Sequence, residues 1–171
     1  MLRLAKAFLD IALWRKSPAQ LPASLFLLAL VSVVVALLEI VGALLPPQPS
    51  DRIVTRVALS VGLPLAFAWV VLRIAGRPQR FLQTASALLG VAVFAQILIY
   101  PLDSLLSYLG TDRLVSFPLG LLLFLIVMGY LLACANIWRA ALDAGIAVGA
   151  AVSVGYLLLS MALQQQLLAQ S

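Results

Sequence analysis

The sequence predicts an all-α, polytopic membrane helix bundle with five transmembrane helices and an N-terminal amphipathic helix lying on the membrane surface. Three observations carry this. Of the 171 residues, 64% are apolar and only 10% are charged, against roughly half and a quarter in an ordinary water-soluble domain. The apolar residues gather into runs of the length a bilayer demands, about 20 residues each. The run Leu114–Leu163 is 50 residues long and holds two charges, Arg139 and Asp143. As one helix it would reach about 75 Å, against a hydrocarbon core of about 30 Å, so it must fold back once.

Residues 1–20 come first and do not span. Leu2, Ala5, Phe8, Leu9, Ala12 and Leu13 recur at helical spacing, with Arg3, Lys6 and Asp10 largely off that stripe. Trp14, Arg15 and Lys16 then serve as interfacial anchors, the pattern of a surface-bound helix. The charges leave no uncharged core of signal-peptide length. Ser17-Pro18 and Pro22 mark the turn into the bilayer.

Span one is expected over 21–45, ended by Pro46-Pro47-Gln48-Pro49, because consecutive prolines cannot continue a helix. Span two covers 53–75 with Pro64 inside it, and Gly76-Arg77-Pro78 closes it. Span three covers 81–102, ending at Pro101. A loop follows, with a short interfacial helix around Leu105, Leu106 and Leu109. Spans four and five, 115–137 and 142–163, are the two arms of the long apolar run, with Arg139 and Asp143 at the hairpin. Those two are four residues apart and suited to pairing on one helix face. The tail 164–171, opening with Gln164-Gln165-Gln166, leaves the membrane. Pro64 and Pro118 are expected to kink their helices.

Orientation follows from lysine and arginine counts in short loops. With the N-terminus inside, eight of the eleven basic residues lie on the inner face; Arg52, Arg56 and Arg113 lie outside. Five crossings put the C-terminus outside. The net charge of +5 therefore reads as topology rather than as a nucleic-acid surface.

The residues restrict the chemistry. There is no histidine, and Cys134 is the single cysteine. No internal disulfide is possible, no haem or zinc ligand set is evident, and no cofactor is expected. Histidine-activated nucleophiles are excluded. No glycine-rich phosphate loop is present, and the six acidic residues are scattered rather than paired. The expected protein is not an enzyme.

Glu39 is the acidic residue well inside a span, roughly 9 Å from its outer end at helical rise. A charge in the membrane costs at least ~2.5 kcal/mol. It reads either as a proton or ion site or as a glutamate satisfied by a neighbouring helix, with Gln96 as the hydrogen-bond partner. Ala141, Gly145, Gly149 and Ser153 form a small-residue ladder at four-residue intervals, which lets helices approach closely, within the chain or between copies. Arg15, Lys16, Arg73, Arg77 and Arg80 are candidate contacts for anionic lipid headgroups.

Three segments carry a family resemblance: Gly76-Arg77-Pro78-Gln79-Arg80-Phe81-Leu82-Gln83-Thr84 entering span three, Ile137-Trp138-Arg139-Ala140-Ala141-Leu142 at the last hairpin, and Leu13-Trp14-Arg15-Lys16-Ser17-Pro18 before span one. With five closely spaced crossings, the chain resembles the Yip1 family of small multipass membrane proteins. Without the longer soluble N-terminal region of the eukaryotic members, which act in vesicle trafficking with small GTPases, it is most similar to the compact bacterial type. The resemblance implies a non-enzymatic adaptor or scaffold of a bacterial inner membrane. Its partners would be the lipid bilayer together with a protein partner or further copies of itself. The alternative is a small oligomeric transporter or channel using Glu39.

Overall fold

The computed structural model describes residues 23–44, 53–109 and 113–169. The expected surface helix over 1–20, with Arg15 and Lys16, lies outside the described residues. Among those described there are five long helices and no strand. They are α1 (Leu25–Ala43), α2 (Ile53–Ile74), α3 (Phe81–Leu109), α4 (Arg113–Leu142) and α5 (Ile146–Ala169), with a single 3-10 turn at Pro78–Arg80 leading into α3. All five are long and apolar enough to cross a membrane, consistent with a multi-pass membrane protein.

Ser24 starts α1: its side chain accepts from the Leu27 amide at 3.4 Å, meeting one of the donors a helix start leaves unpaired. The buried positions of α1 then recur at Leu27, Val31, Val35 and Glu39, a four-residue step that defines one inward face. The opposite faces of the helices are apolar and open: Val54 is 83% exposed, Ile74 82% and Phe117 74%. In water these would form liabilities; against acyl chains they are the ordinary surface.

Helix α3 is central and touches α1, α2 and α4. From Thr84 to Val91 every residue is buried, because Ala85, Ser86, Ala87 and Gly90 are small enough for neighbours to close in on all sides. Helix α5 packs on α4 and, less extensively, on α2. Val35, Leu72, Leu89, Ile137 and Trp138 fill the tightest part of the core.

Helix ends differ from the sequence expectation in three places. Pro101 does not end α3, which runs on to Leu109 and absorbs the expected interfacial helix. One proline removes one intrahelical donor, and the last turns stay docked through Tyr100, whose ring lies over Gly42 of α1, and through buried Ser104. Helix α4 continues past Ile137 to Leu142, so the hairpin is Asp143–Gly145, with Asp143 in the left-handed region at φ +44°. Helix α5 does not stop at Leu163 but remains helical through the glutamines to Ala169, since glutamine is a good helix former and no glycine or proline intervenes.

Candidate functional site

Two polar constellations stand at opposite ends of the bundle. The first is built on Glu39. Because α1 runs antiparallel to α2 and parallel to α3, the late turns of α1 face the early turns of α2 and the later half of α3. Glu39 is 8% exposed. The Gln96 amide donates to its Oε1 at 2.9 Å, so the structure brings together the two residues singled out in the sequence. Arg56 of α2 faces Oε2 at 3.8 Å. The Tyr100 hydroxyl also hydrogen bonds to the carboxylate, with Ser60 alongside.

Helical register explains the set. Gln96 and Tyr100 are one turn apart on α3, and Arg56, Ser60 and Pro64 are successive turns of one α2 face. Gly42 completes it: a β-carbon there would stand 2.7 Å from the Tyr100 ring. Only glycine lets that ring lie flat enough on α1 for its hydroxyl to reach Glu39. Sequence reasoning missed Arg56, Ser60, Tyr100 and Gly42. In the sequence Arg56 reads as a topology residue alone, and its four-residue spacing from Ser60 is the signal that places both on one face.

The cluster forms one end of a cavity of about 200 Å³ lined by all five helices. Its other end is walled by Phe67, Tyr130, Cys134, Trp138 and Tyr156. Phe67 stands edge-on to Trp138, at 5.8 Å between centroids and 82° between planes, and lies tilted on Tyr156 at 5.3 Å. The cavity is thus polar at one end and aromatic at the other.

The second constellation joins the two loops at the far end. Asp143 pairs with Arg77 and with Arg80, the latter at 2.9 Å from Nη2. Arg80 also donates from Nη1 to the carbonyls of Ala140 and Ala141, at 2.9 and 3.1 Å. These carbonyls belong to the last turn of α4, where acceptors are left over and positive charge is favoured. The expected pairing of Arg139 with Asp143 is replaced by this clasp, and Arg139 is exposed. The two guanidinium groups hold the Asp143 carboxyl below its ordinary pKa through their hydrogen bonds. Arg73 stands apart, its guanidinium 4.9 Å above the exposed Trp69 ring.

The small-residue ladder divides. Ala141 closes α4, and Gly145 lies in the turn, exposed, with open space where a side chain would go. Gly149 does the close packing: a β-carbon there would stand 2.1 Å from the Ala135 carbonyl oxygen of α4. Ser153 is buried one turn on, its hydroxyl donating to the Gly149 carbonyl at 3.0 Å. Among the described residues no group of three metal-ligating side chains occurs.

No family model, no curated protein and no solved structure matches this chain.

Proposed function

We propose that this chain is a non-enzymatic membrane adaptor or scaffold of the Yip1 type, seated in a bacterial inner membrane with its N-terminus in the cytoplasm and its C-terminus outside. One observation carries the reading. Two of the segments that bear the family resemblance, around Gly76–Thr84 and Ile137–Leu142, meet in space through Arg80 and the Ala140 and Ala141 carbonyls. Distant loops are thereby locked into one preformed face. Arg77 and Arg80 lie there against one carboxylate, Asp143, and Arg73 and Arg139 flank it from the last turns of α2 and α4. A fixed cationic face suits anionic headgroups, each nearby basic residue being worth about 1 kcal/mol, or an acidic partner surface.

The test is purification in mild detergent of wild type and an Arg73→Gln/Arg139→Gln variant, which leaves the clasp intact. A stoichiometric partner or retained anionic lipid, reduced in the variant, is the expected result. A wild-type chain that comes out alone, with no preference for anionic lipid and no self-assembly, refutes the reading.

A second reading, a small transporter or channel, is favoured by the position of Glu39 in a cavity that reaches all five helices. Proteoliposome flux compared between wild type and Glu39→Gln decides it. Equal flux, or none in either, removes it.

A further inference from the structure

We propose that the five-helix cavity is a binding site for a small primary amine carrying an apolar, ring-sized body. The inference concerns equilibrium occupancy, and it holds whether or not the occupant crosses the membrane and whether or not the chain is a scaffold.

Size sets the first limit. Apolar protein cavities of about 150 Å³ take up benzene. A cavity of about 200 Å³ has room for a ring and a short chain. It is also elongated. The residues that line it on α3 run from Leu88 to Gln96, about 12 Å at helical rise. A body at one end and a head at the other is the shape that fits.

The aromatic end receives the body. Phe67, Tyr130, Trp138 and Tyr156 line that half, and rings offer large contact area at fixed geometry. Exposed Gln164 also borders the cavity.

The polar end specifies the head by what it lacks. The Gln96 amide is oriented by Glu39: its Nε2 must face the carboxylate, because the flipped amide would set two acceptors against each other. That leaves Gln96 Oε1 buried with no hydrogen-bond partner. A second acceptor comes from the backbone. Pro64 lies inside α2 and brings no N–H, so the Ser60 carbonyl, four residues earlier, has lost its helical donor. Ser60 and Pro64 both line the cavity. The Glu39 carboxylate is the third acceptor, its oxygens shared with Gln96, Tyr100 and Arg56.

The donors of the Glu39 cluster are already engaged, Gln96 and Tyr100 on the carboxylate itself. The Ser60 hydroxyl donates to the Val57 carbonyl at 3.1 Å, and Arg56 faces Glu39. A site with acceptors in excess, one of them a carboxylate, selects a head with several donors and a positive charge. A protonated primary amine carries three N–H groups and no acceptor. A carboxylate or phosphate head would bring a second anion beside Glu39 and set its own acceptors against the unpaired Gln96 Oε1.

The experiment uses the full chain in nanodiscs with Trp14→Phe and Trp69→Phe, so that buried Trp138 on the cavity wall is the only tryptophan. The probe is 2-phenylethylamine, compared with 2-phenylethanol and phenylacetate, which share its body. The amine is expected to change Trp138 fluorescence saturably, the alcohol to bind about tenfold more weakly, and phenylacetate not to bind. A factor of about ten is the scale of one hydrogen bond to a charged group.

Glu39→Gln removes the carboxylate, and Pro64→Ala returns the missing N–H to the Ser60 carbonyl. Each is expected to weaken the amine several-fold. Should Glu39→Gln fail to fold, Pro64→Ala still decides, since it adds a helical hydrogen bond and trims only ring methylenes from a buried position. The proposal is overturned by the absence of a saturable response, by equal binding of amine and alcohol, by binding of phenylacetate, or by unchanged amine affinity in Pro64→Ala.

Discussion

Gly149→Ala tests whether the α4–α5 crossing sets the stability of the bundle. An added methyl group would lie 2.1 Å from the Ala135 carbonyl oxygen and 3.0 Å from the Arg139 amide nitrogen. Carbon and oxygen in contact are usually separated by more than 3 Å, so the two helices must part by roughly 1 Å. Overpacking of this kind costs about 1–3 kcal/mol. The obstacle is a backbone carbonyl, which cannot swing aside as a side chain can, so the cost belongs at the upper end, ~3 kcal/mol. Replacing glycine by alanine within a helix recovers about 1 kcal/mol of backbone propensity. The net expectation is a loss of about 2 kcal/mol, roughly thirtyfold in the folded-to-unfolded ratio.

Gly155→Ala on the same helix is the matched control, because a β-carbon there meets nothing within 4 Å. It keeps the propensity gain and adds no clash, so its sign should be opposite. Unfolding in mixed micelles by increasing dodecyl sulfate, followed by circular dichroism, gives both values. Equal midpoints for the two variants would refute the reasoning, because propensity alone would then account for both.

Three further outcomes follow from the polar ends. Gly42→Ala should cost about 1 kcal/mol by pushing the Tyr100 ring away from Glu39, and the cost should vanish when Tyr100→Leu has already removed the ring, a double-mutant cycle read in the same titration. The Glu39→Gln and Gln96→Leu cycle should show a coupling of about 1.5–3 kcal/mol, the scale of a hydrogen bond to a charged group; additive effects would mean that the 2.9 Å contact contributes nothing. Asp143→Asn should release the loop at residues 76–80 and speed tryptic cleavage after Arg80, measured by mass spectrometry. Because the folded chain lowers the Asp143 pKa, the clasp's contribution is complete above the unfolded value and is lost only as pH falls through the lower folded one. A carboxyl chemical-shift titration that placed Asp143 above an ordinary aspartate would contradict this.

The bundle itself could be read from residue types, because the bilayer imposes a length that composition alone reveals. The five helices of membrane-spanning length needed no knowledge of contacts. Helix ends did, and they went wrong where tertiary contacts override local signals. Pro101 looks like a terminator because its cost is local, whereas the contact of Tyr100 with Gly42 that holds the following turns against α1 joins residues 58 positions apart. Leu142 outlasts the expected end of span four because Arg80, from another loop, satisfies the last carbonyls. Glu39 and Gln96 could be paired in advance because each was conspicuous as a polar group in an apolar run. Arg56 and Tyr100 were not conspicuous, since each sits near the expected end of a span, where such residues are ordinary.

Asp143 shows where this kind of reading runs out. Four residues after Arg139, it had an evident partner, but an i to i+4 pair exists only if the helix continues through both residues. The chain leaves helical geometry at Asp143, with φ +44°, and its carboxylate then swings toward the loop of residues 76–80. Two guanidinium groups wait there, one of them already anchored on the end of α4. The same break separates Ala141 and Gly145 from Gly149 and Ser153, so that half the small-residue ladder packs against α4 and Gly145 faces open space. A four-residue repeat counted along the sequence assumes one unbroken helix. A single left-handed residue cancels both the ion pair and the ladder, and no local property of Asp143 announces it, because the contacts that favour the break come from 66 residues away.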